Sequence, residues 1–178
     1  MKKLLILDLD ETLLHATSKE LSISPDFTCC QYNVYERPFV HEFLNYVFER
    51  FEVAVWTSSS EDYAECIVKE LFFDPSLLQF VWARSRCTPQ MNSLTGEILY
   101  EKNLKKIKKH GFDLRHTIMV DDTPKKLVKS YGNLVTVKPF TGDSTDKELV
   151  KLTTYLKTLE NAENIRAIEK RGWHNNIA

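Results

Sequence analysis

Hydrophobic and polar positions along the chain follow two different periods. Short, uninterrupted apolar runs are typical of strands buried on both faces of a sheet, and Leu4 to Leu7 is one such run. Between the runs, apolar residues recur at helical spacing, as they do from Val40 to Phe51 and from Ala64 to Phe72. Strands are predicted at residues 3–9, 53–56, 80–83, 116–120 and 134–137. Because these strands alternate with helices, the pattern predicts an α/β fold with one central parallel sheet and helices on both of its faces.

The segments between the strands contain residues that begin and end helices. Pro38 and Ser60 are expected to begin the first two helices. Residues 103–110 are predicted as a short basic helix that ends at Gly111, and Thr123 is expected to cap a further helix. The remaining segments are predicted as an insertion ending in a hairpin (17–36), a loop or hairpin (84–101) and a helical region in two pieces (145–170), with the last few residues frayed.

The composition is that of a globular protein. The chain has 178 residues, and we expect one domain over 1–178, with a core over about residues 1–160 and a helical C-terminal segment over 161–178. Its 24 Lys and Arg nearly balance its 25 Asp and Glu, so net charge does not suggest binding to nucleic acid or to a membrane surface. No apolar stretch approaches the roughly 20 residues that span a bilayer, and no leader segment precedes Leu4. We therefore expect a cytoplasmic monomer, or a nuclear one in a eukaryote.

The four cysteines are Cys29, Cys30, Cys66 and Cys87, and they show neither a C-x-x-C motif nor a zinc-binding spacing. This usage is typical of reduced thiols in a cytosolic protein. A redox pair formed by the adjacent Cys29 and Cys30 stays open as the alternative.

Two carboxylates, Asp8 and Asp10, follow directly on the first predicted strand. Burial of an unpaired charge is strongly unfavourable, so this pair indicates a bound cation, a proton-transfer role, or both. A second acidic pair, Asp121 and Asp122, ends the fourth strand. Ligands of parallel sheets bind beyond the carboxyl ends of the strands, and carboxylate oxygens suit Mg²⁺. The two pairs therefore predict a magnesium site, although Asp121 and Asp122 as a helix-capping cluster is an alternative.

Thr57 and Ser58 end the second strand, just before a helix start. The Thr57 hydroxyl and neighbouring backbone N–H groups are suited to holding phosphoryl oxygens, although Thr57 as an ordinary helix-start residue is a fair alternative. Lys102 is suited to balancing the acidic cluster and clamping a phosphoryl group, with Lys125 as its main rival. Together these groups predict phosphoryl transfer to a carboxylate nucleophile.

These segments resemble the motifs of a known family. Five of them match in family order over roughly residues 3–160: LDLDETLLH at 7–15, ERPFVHEFL at 36–44, WTSS at 56–59, YEKNL at 100–104 and VDDTP at 120–124. The first contains the D-x-D-x-T motif of the haloacid dehalogenase (HAD) superfamily. Within it, the chain resembles the Fcp/Scp-like, or NLI-interacting-factor-like, phosphatases, known for acting on the C-terminal domain of RNA polymerase II.

The resemblance implies a Rossmann-like HAD fold with small insertions, and it implies roles for individual residues. Asp8 corresponds to the nucleophile that becomes an aspartyl-phosphate, and Asp10 to the general acid and base, whose backbone carbonyl is a metal ligand. Mg²⁺ is then expected at Asp8, Asp10, Asp121 and Asp122, and the phosphoryl group at Leu9, Thr57, Ser58, Arg84 and Lys102. Thr12 is expected to brace the motif turn. Apart from the resemblance, Arg37 and Pro38 are most simply a helix entry, in which Arg37 is expected to pair with an acidic neighbour.

Two departures from the family bear on the metal site and on the substrate. Scp-like enzymes often have Asp-Asn where this chain has Asp121-Asp122, so the residue that binds Mg²⁺ directly stays open. The segment before Arg37 is shorter than the one that forms their peptide-proline pocket. No large cap domain fits between the motifs, and an open crevice favours a phosphoserine or phosphothreonine protein over a small substrate. The alternatives are a phosphatase for small molecules or nucleotides and a non-catalytic binding module.

Overall fold

The computed structural model describes residues 2–177, and within them the chain forms ten strands and three α-helices. The strands are β1 (Leu4–Leu7), β2 (Leu14–Thr17), β3 (Phe27–Cys29), β4 (Tyr32–Glu36), β5 (Glu52–Trp56), β6 (Val81–Trp82), β7 (Thr88–Met91), β8 (Ile98–Glu101), β9 (Thr117–Asp121) and β10 (Leu134–Thr136). The helices are α1 (Val40–Arg50), α2 (Glu61–Leu71) and α3 (Glu148–Leu159).

The central sheet is parallel and has the order β10-β9-β1-β5-β6. Its middle strand, β1, pairs with β5 and β9, so that Leu5 lies beside both Val53 and Ile118. The five strands predicted from the apolar runs are these five, and the α/β prediction is confirmed. The strand expected over residues 3–9 is shorter, because the chain turns once Asp8 has passed the sheet edge.

Alternate residues of the strands face two separate apolar clusters. Leu5 and Leu7 pack with the buried sides of α1, α2 and α3, whereas Leu4 and Ile6 face a second cluster that includes Trp56. The second face carries short 3₁₀ helices rather than α-helices. The prediction of helices on both faces is therefore confirmed, although those on the second face are of the 3₁₀ kind.

Two segments predicted as ordinary helices are 3₁₀ helices, Leu104–His110 and Pro124–Asn133. Leu104 and Ile107 are both fully buried, and a 3₁₀ helix places residues three apart on the same side. As predicted, Gly111 ends the first segment with a positive φ of 87°. Thr123 does not cap the second, since its hydroxyl donates to Asp122 instead.

Two small insertions flank the carboxyl end of the sheet. β2, β4 and β3 form a three-stranded antiparallel sheet, and β7 and β8 form a hairpin. Both hairpin predictions are confirmed. Residues 2–177 contain no large cap domain, so the crevice at this end of the sheet is open.

The C-terminal segment is ordered against the core, contrary to the expected fraying. Trp173 is 1% exposed, stacks on Tyr155 with ring centroids 5.1 Å apart, and donates from Nε1 to the Thr136 carbonyl at 2.7 Å. Its indole supplies the apolar contact that the polar residues around it do not.

No helix within residues 2–177 has the length and apolar character needed to cross a membrane.

The expectation of four reduced thiols is wrong, since Cys29 and Cys66 form a disulfide. Cys29 ends β3 and Cys66 lies on α2, and the two residues are 37 positions apart. A pairing that depends on packing between an insertion and a helix leaves no spacing signal in the sequence. The alternative pair, Cys29 with Cys30, is not the bonded one.

Candidate active site

Three strand ends bring the predicted residues together at the carboxyl edge of the sheet. The Asp8 N–H donates to the Val120 carbonyl at 3.0 Å, which continues the pairing of β1 with β9 and sets Asp8 beside Asp121. On the other side, the Thr57 N–H donates to the Trp82 carbonyl at 2.8 Å and holds Thr57 at the end of β5. The crevice predicted from separate motifs is thus one place in the fold.

Lys102 lies between two carboxylates at the centre of the site. Its Nζ is 2.8 Å from Asp8 Oδ1 and 2.6 Å from Asp121 Oδ2, and all three side chains are almost fully buried. Its backbone N–H donates to the Lys126 carbonyl at 2.7 Å, which fixes the residue just past β8. A buried lysine is stabilised only by such close pairing, so the lysine named from the motif is the one at the acidic cluster.

A second lysine near Asp8 is Lys126, not the rival Lys125 that the sequence suggested. Lys126 Nζ lies 3.4 Å from Asp8 Oδ2, whereas Lys125 is exposed. Burial lowers the pKa of Lys126, but the charges of Asp8, Asp121 and Asp122 outweigh it and raise that pKa above its usual value. The adjacent lysines differ because the 3₁₀ turn directs one toward the cluster and leaves the other in solvent.

Asp8 and Asp121, the two carboxylates that share Lys102, have pKa values shifted in opposite directions. Burial raises the pKa of Asp8, but the charges of Lys102 and Lys126 outweigh it and leave that pKa below its usual value. Burial and repulsion from Asp8 raise the pKa of Asp121, against the opposing effect of Lys102. Of these two carboxylates, Asp8 is therefore the one whose ionised form is favoured.

Asp10 is held by two hydroxyl groups that sequence reasoning missed. Ser59 Oγ donates to Asp10 Oδ2 at 2.8 Å, and the Tyr63 hydroxyl donates to Asp10 Oδ1. Burial raises the pKa of Asp10, the Tyr63 hydrogen bond opposes the rise, and the charge of Asp8 adds to it, with a net increase. The sequence signal that could have found them was position: Ser59 lies just after Thr57, and Tyr63 lies in the first turn of α2.

The carboxylates of Asp8, Asp121 and Asp122 fit a hard divalent cation. Each offers an oxygen atom, and these three atoms lie within 4.8 Å of one another. Both oxygens of Asp121 have partners, Lys102 and the Thr123 N–H. Asp122 Oδ2 accepts from the Thr123 hydroxyl at 2.9 Å, while its buried Oδ1 has no hydrogen-bond partner. A buried carboxylate oxygen without a partner, beside two further carboxylates, is a natural ligand for Mg²⁺.

The other predicted phosphate-binding residues line the approach to Asp10. Arg84 Nε donates to the Ser58 carbonyl at 2.9 Å, and its guanidinium lies 4.9 Å from the centroid of the Tyr100 ring. Ser58 and Arg84 line a cavity of about 370 Å³ together with Asp10, Ser59 and Tyr63. The cavity is open to solvent and mostly polar.

Thr57 and Leu9 lie deeper than the cavity. The buried Thr57 hydroxyl accepts from the Ser59 N–H at 3.0 Å. The Leu9 side chain is in the core, whereas its backbone N–H lies against the Asp8 carboxylate. Leu9 can therefore serve a phosphoryl group only through its backbone.

Arg37 braces the loop that follows Asp8. Its Nη1 donates to the carbonyls of Glu11 at 3.4 Å and Thr12 at 3.0 Å, and its Nη2 donates to the Lys138 carbonyl at 2.8 Å. The expected acidic partner is Asp146. The sequence predicted an acidic partner for Arg37, but it did not predict that this partner would come from the segment after β10.

Comparisons with known proteins agree with this geometry. The family model described as NLI interacting factor-like phosphatase matches residues 3–166. The chain belongs to this family. It is 32% identical over 175 residues to a "Probable C-terminal domain small phosphatase" of Dictyostelium discoideum, covering 93% of this chain and 53% of the relative. It is also 32% identical over 184 residues to a "Putative CTD phosphatase-like protein 355R" of Invertebrate iridescent virus 3, covering 89% and 97%.

The fold of this NLI interacting factor-like chain is also similar to solved structures. That of "Fcp1, an essential RNA polymerase II CTD phosphatase" superposes with a TM-score of 0.70 at 17% identity, over 93% of this chain and 69% of that one. This likeness shows the HAD fold. The chain spans only about half of the Dictyostelium relative, at 53% of its length.

Proposed function

We propose that the protein is a Mg²⁺-dependent phosphatase that hydrolyses phosphomonoesters through an aspartyl-phosphate on Asp8. The observation that carries this proposal is the pairing of Lys102 with both Asp8 and Asp121 in a buried cluster. That arrangement keeps a nucleophilic carboxylate ionised and places positive charge where a phosphoryl group would arrive.

In the first step, an Asp8 oxygen attacks phosphorus while the bond from phosphorus to the ester oxygen breaks. The departing oxygen takes a proton from Asp10, whose raised pKa suits it to hold one. Asp10 accepts hydrogen bonds from Ser59 and Tyr63 in its ionised form. To act as the acid, Asp10 must take up a proton on one of its two carboxyl oxygens.

In the second step, ionised Asp10 takes a proton from water, and the water oxygen attacks phosphorus. The bond between Asp8 and phosphorus breaks, which releases phosphate and restores both carboxyl groups. When bound at Asp8, Asp122 and the backbone carbonyl of Asp10, Mg²⁺ would shield the repulsion between the nucleophile and the anionic substrate. We assign Asp122 to direct ligation because its Oδ1 has no other partner.

The substrate we propose is a phosphoserine or phosphothreonine in a protein. An open crevice without a cap supports this choice, as do a relative named as a probable C-terminal domain small phosphatase and a similar solved structure named as an RNA polymerase II CTD phosphatase. The second candidate is a small-molecule or nucleotide phosphatase, and the third is a binding module without activity. The complete set of Asp8, Asp10, Lys102 and Asp121 argues against the third.

The first experiment measures phosphate release from an aryl phosphate with and without Mg²⁺, for the wild type and for Asp8→Asn. We expect magnesium-dependent turnover that the substitution abolishes, with an unchanged circular dichroism spectrum. Trapping of a phosphorylated chain by acid quench, located at Asp8 by mass spectrometry, would identify the nucleophile. Turnover by Asp8→Asn would exclude the mechanism.

A substrate panel separates the two catalytic candidates. Phosphopeptides with phosphoserine or phosphothreonine are compared with sugar phosphates and nucleotides by their kcat/KM values. A preference for nucleotides would replace the protein-phosphatase proposal.

We further propose that residues 1–178 act as one monomeric domain without nucleic-acid or membrane partners, in the cytoplasm or the nucleus. Light scattering and the position of a fluorescent fusion would test this.

A further inference from the structure

We propose that Cys29, Cys30 and Cys66 form a redox-modification site that takes small thiols and disulfides and controls the positioning of Tyr63. The effect on activity rests on the proposed phosphatase function, whereas the chemistry of the cysteines does not.

The three cysteines form one cluster on the side of the crevice. Cys29 and Cys66 are joined, and the Cys30 sulfur belongs to a group in which all three sulfur atoms lie within 4.8 Å of one another. Cys29 is buried, Cys66 half-buried and Cys30 exposed. Cys30 sits on the turn between β3 and β4 with a positive φ of 55°. A free, exposed thiol beside a disulfide whose Cys66 sulfur is only half-buried is suited to thiol–disulfide exchange.

The exchange step follows from this arrangement. The Cys30 thiolate attacks the Cys66 sulfur, a bond forms between Cys30 and Cys66, and Cys29 leaves as a thiolate that takes up a proton. Full opening needs two equivalents of an external thiol such as glutathione. It gives two protein thiols and one oxidised glutathione, and oxidised glutathione reverses the reaction. Because the bond to Cys29 is buried, we expect the external thiol to enter at the Cys30 side.

The disulfide also connects the cluster to the acid–base residue. It ties the insertion sheet to α2 at a position one helical turn after Tyr63. The Cys29 sulfur lies 3.9 Å from the Tyr63 carbonyl, and the Tyr32 ring packs edge-on against the Tyr63 ring at 5.9 Å. Tyr63 donates to Asp10. The bond therefore clamps the ring whose hydroxyl holds Asp10, and its reduction loosens that clamp.

The same three sulfurs would suit a thiolate-binding metal ion such as Zn²⁺ if all three were reduced. The bonded state of Cys29 and Cys66 has no thiolate on either residue, so the structure favours redox chemistry over metal binding. A retained metal ion is the competing outcome of the test.

The chemical test equilibrates the protein with glutathione at several ratios of reduced to oxidised form, alkylates it, and maps the cysteines by mass spectrometry. At oxidising ratios we expect Cys29 and Cys66 to be protected in the wild type and Cys30 to be alkylated. Cys29→Ser should form the bond between Cys30 and Cys66, and Cys30→Ser should keep the original bond but open more slowly. Full alkylation of all three at every ratio would overturn the proposal. So would one equivalent of Zn²⁺ in the purified protein.

The activity test compares oxidised and reduced protein in the aryl phosphate assay. We expect reduction to lower kcat by up to about tenfold through misplacement of the acid, with little change in KM, and oxidised glutathione to restore it. Cys30→Ser is the matched control that keeps the disulfide and the full kcat. In Tyr63→Phe and in Cys66→Ser, kcat should no longer respond to redox state. An equal response in Tyr63→Phe would overturn the control by Tyr63, whereas absence of any turnover would count against the proposed function alone.

Discussion

Arg37 and Asp146, 109 residues apart in the chain, form a two-contact ion pair in which Nε and Nη2 each lie 2.9 Å from a different carboxylate oxygen. The Arg37 side chain is fully buried and its remaining donors hold the loop after Asp8. One salt bridge thus links the chain beyond β10 to the segment that contains the nucleophile.

Arg37→Met should destabilise the protein strongly. Removal of the cation takes away the ion-pair partner of Asp146 and one donor from each of three backbone carbonyls, so we expect a loss of roughly 3 kcal/mol in the free energy of unfolding. Urea denaturation followed by circular dichroism measures this loss. Arg115→Met, which breaks the exposed pair with Asp113, is the matched control and should change the stability little.

Asp146→Asn should make the stability less dependent on pH. Burial raises the pKa of Asp146, but the Arg37 hydrogen bonds outweigh it and hold that pKa below its usual value. A carboxyl group with a depressed pKa in the folded state contributes stability above its unfolded pKa, and that contribution is lost as pH falls through the folded pKa. The difference between wild type and variant in unfolding free energy should therefore be largest at neutral pH and shrink below about pH 4. Urea titrations between pH 3 and pH 7 measure it, and a constant difference would contradict the pairing.

Lys102→Met should lower kcat by about 10²–10³-fold, because it removes the cation that faces both Asp8 and the incoming phosphoryl group. Lys126→Met should have a smaller effect, since its contact with Asp8 is longer. The exposed Lys125→Met is the control and should behave as the wild type. Steady-state kinetics on a phosphate ester distinguish the three. Similar losses in Lys125→Met and Lys102→Met would show that general positive charge matters rather than the buried contact.

Asp122→Ala should raise the Mg²⁺ concentration needed for half-maximal activity by about tenfold or more, because a ligand oxygen is lost. Asp122→Asn keeps an oxygen at the same place and should retain much of the affinity. Magnesium titration of activity and calorimetry provide two independent readouts. Equal Mg²⁺ affinity in the wild type and Asp122→Ala would show that Asp122 is not a ligand of the metal.

Trp173→Ala should lower the free energy of unfolding by about 3–5 kcal/mol through the cavity it leaves. The indole is buried, stacks on Tyr155 and bonds to Thr136. Thermal denaturation measures the loss. Val150→Ala, at an exposed position on the same side of the fold, is the control. A Trp173→Ala variant as stable as the wild type would contradict this packing and support the fraying expected from sequence.

The central sheet and the acidic centre of the site were predictable from sequence because their signals are local. A strand buried on both faces must be apolar throughout, and the carboxylates after Leu7 and Val120 interrupt that rule where the strands end. The place of Lys102 was predictable only through the family motif, since neighbouring lysines have the same local character.

What sequence reasoning missed depends on contacts between distant segments. The contacts of Ser59 and Tyr63 were missed because the carboxylate that accepts from their hydroxyl groups, Asp10, comes from the loop after β1. The disulfide of Cys29 with Cys66 and the anchoring of Trp173 have the same cause. The two 3₁₀ segments were missed because their apolar spacing fits a short helix of either kind.

The groups proposed to act on phosphorus come from four stretches of the chain, around Asp8, Thr57, Lys102 and Asp121, and none contains more than part of the machinery. A fragment or partly assembled intermediate that lacks any of these stretches is therefore not expected to turn over substrate. Enzymatic turnover would report on global folding, so recovery of activity during refolding would mark the moment when the whole sheet has come together.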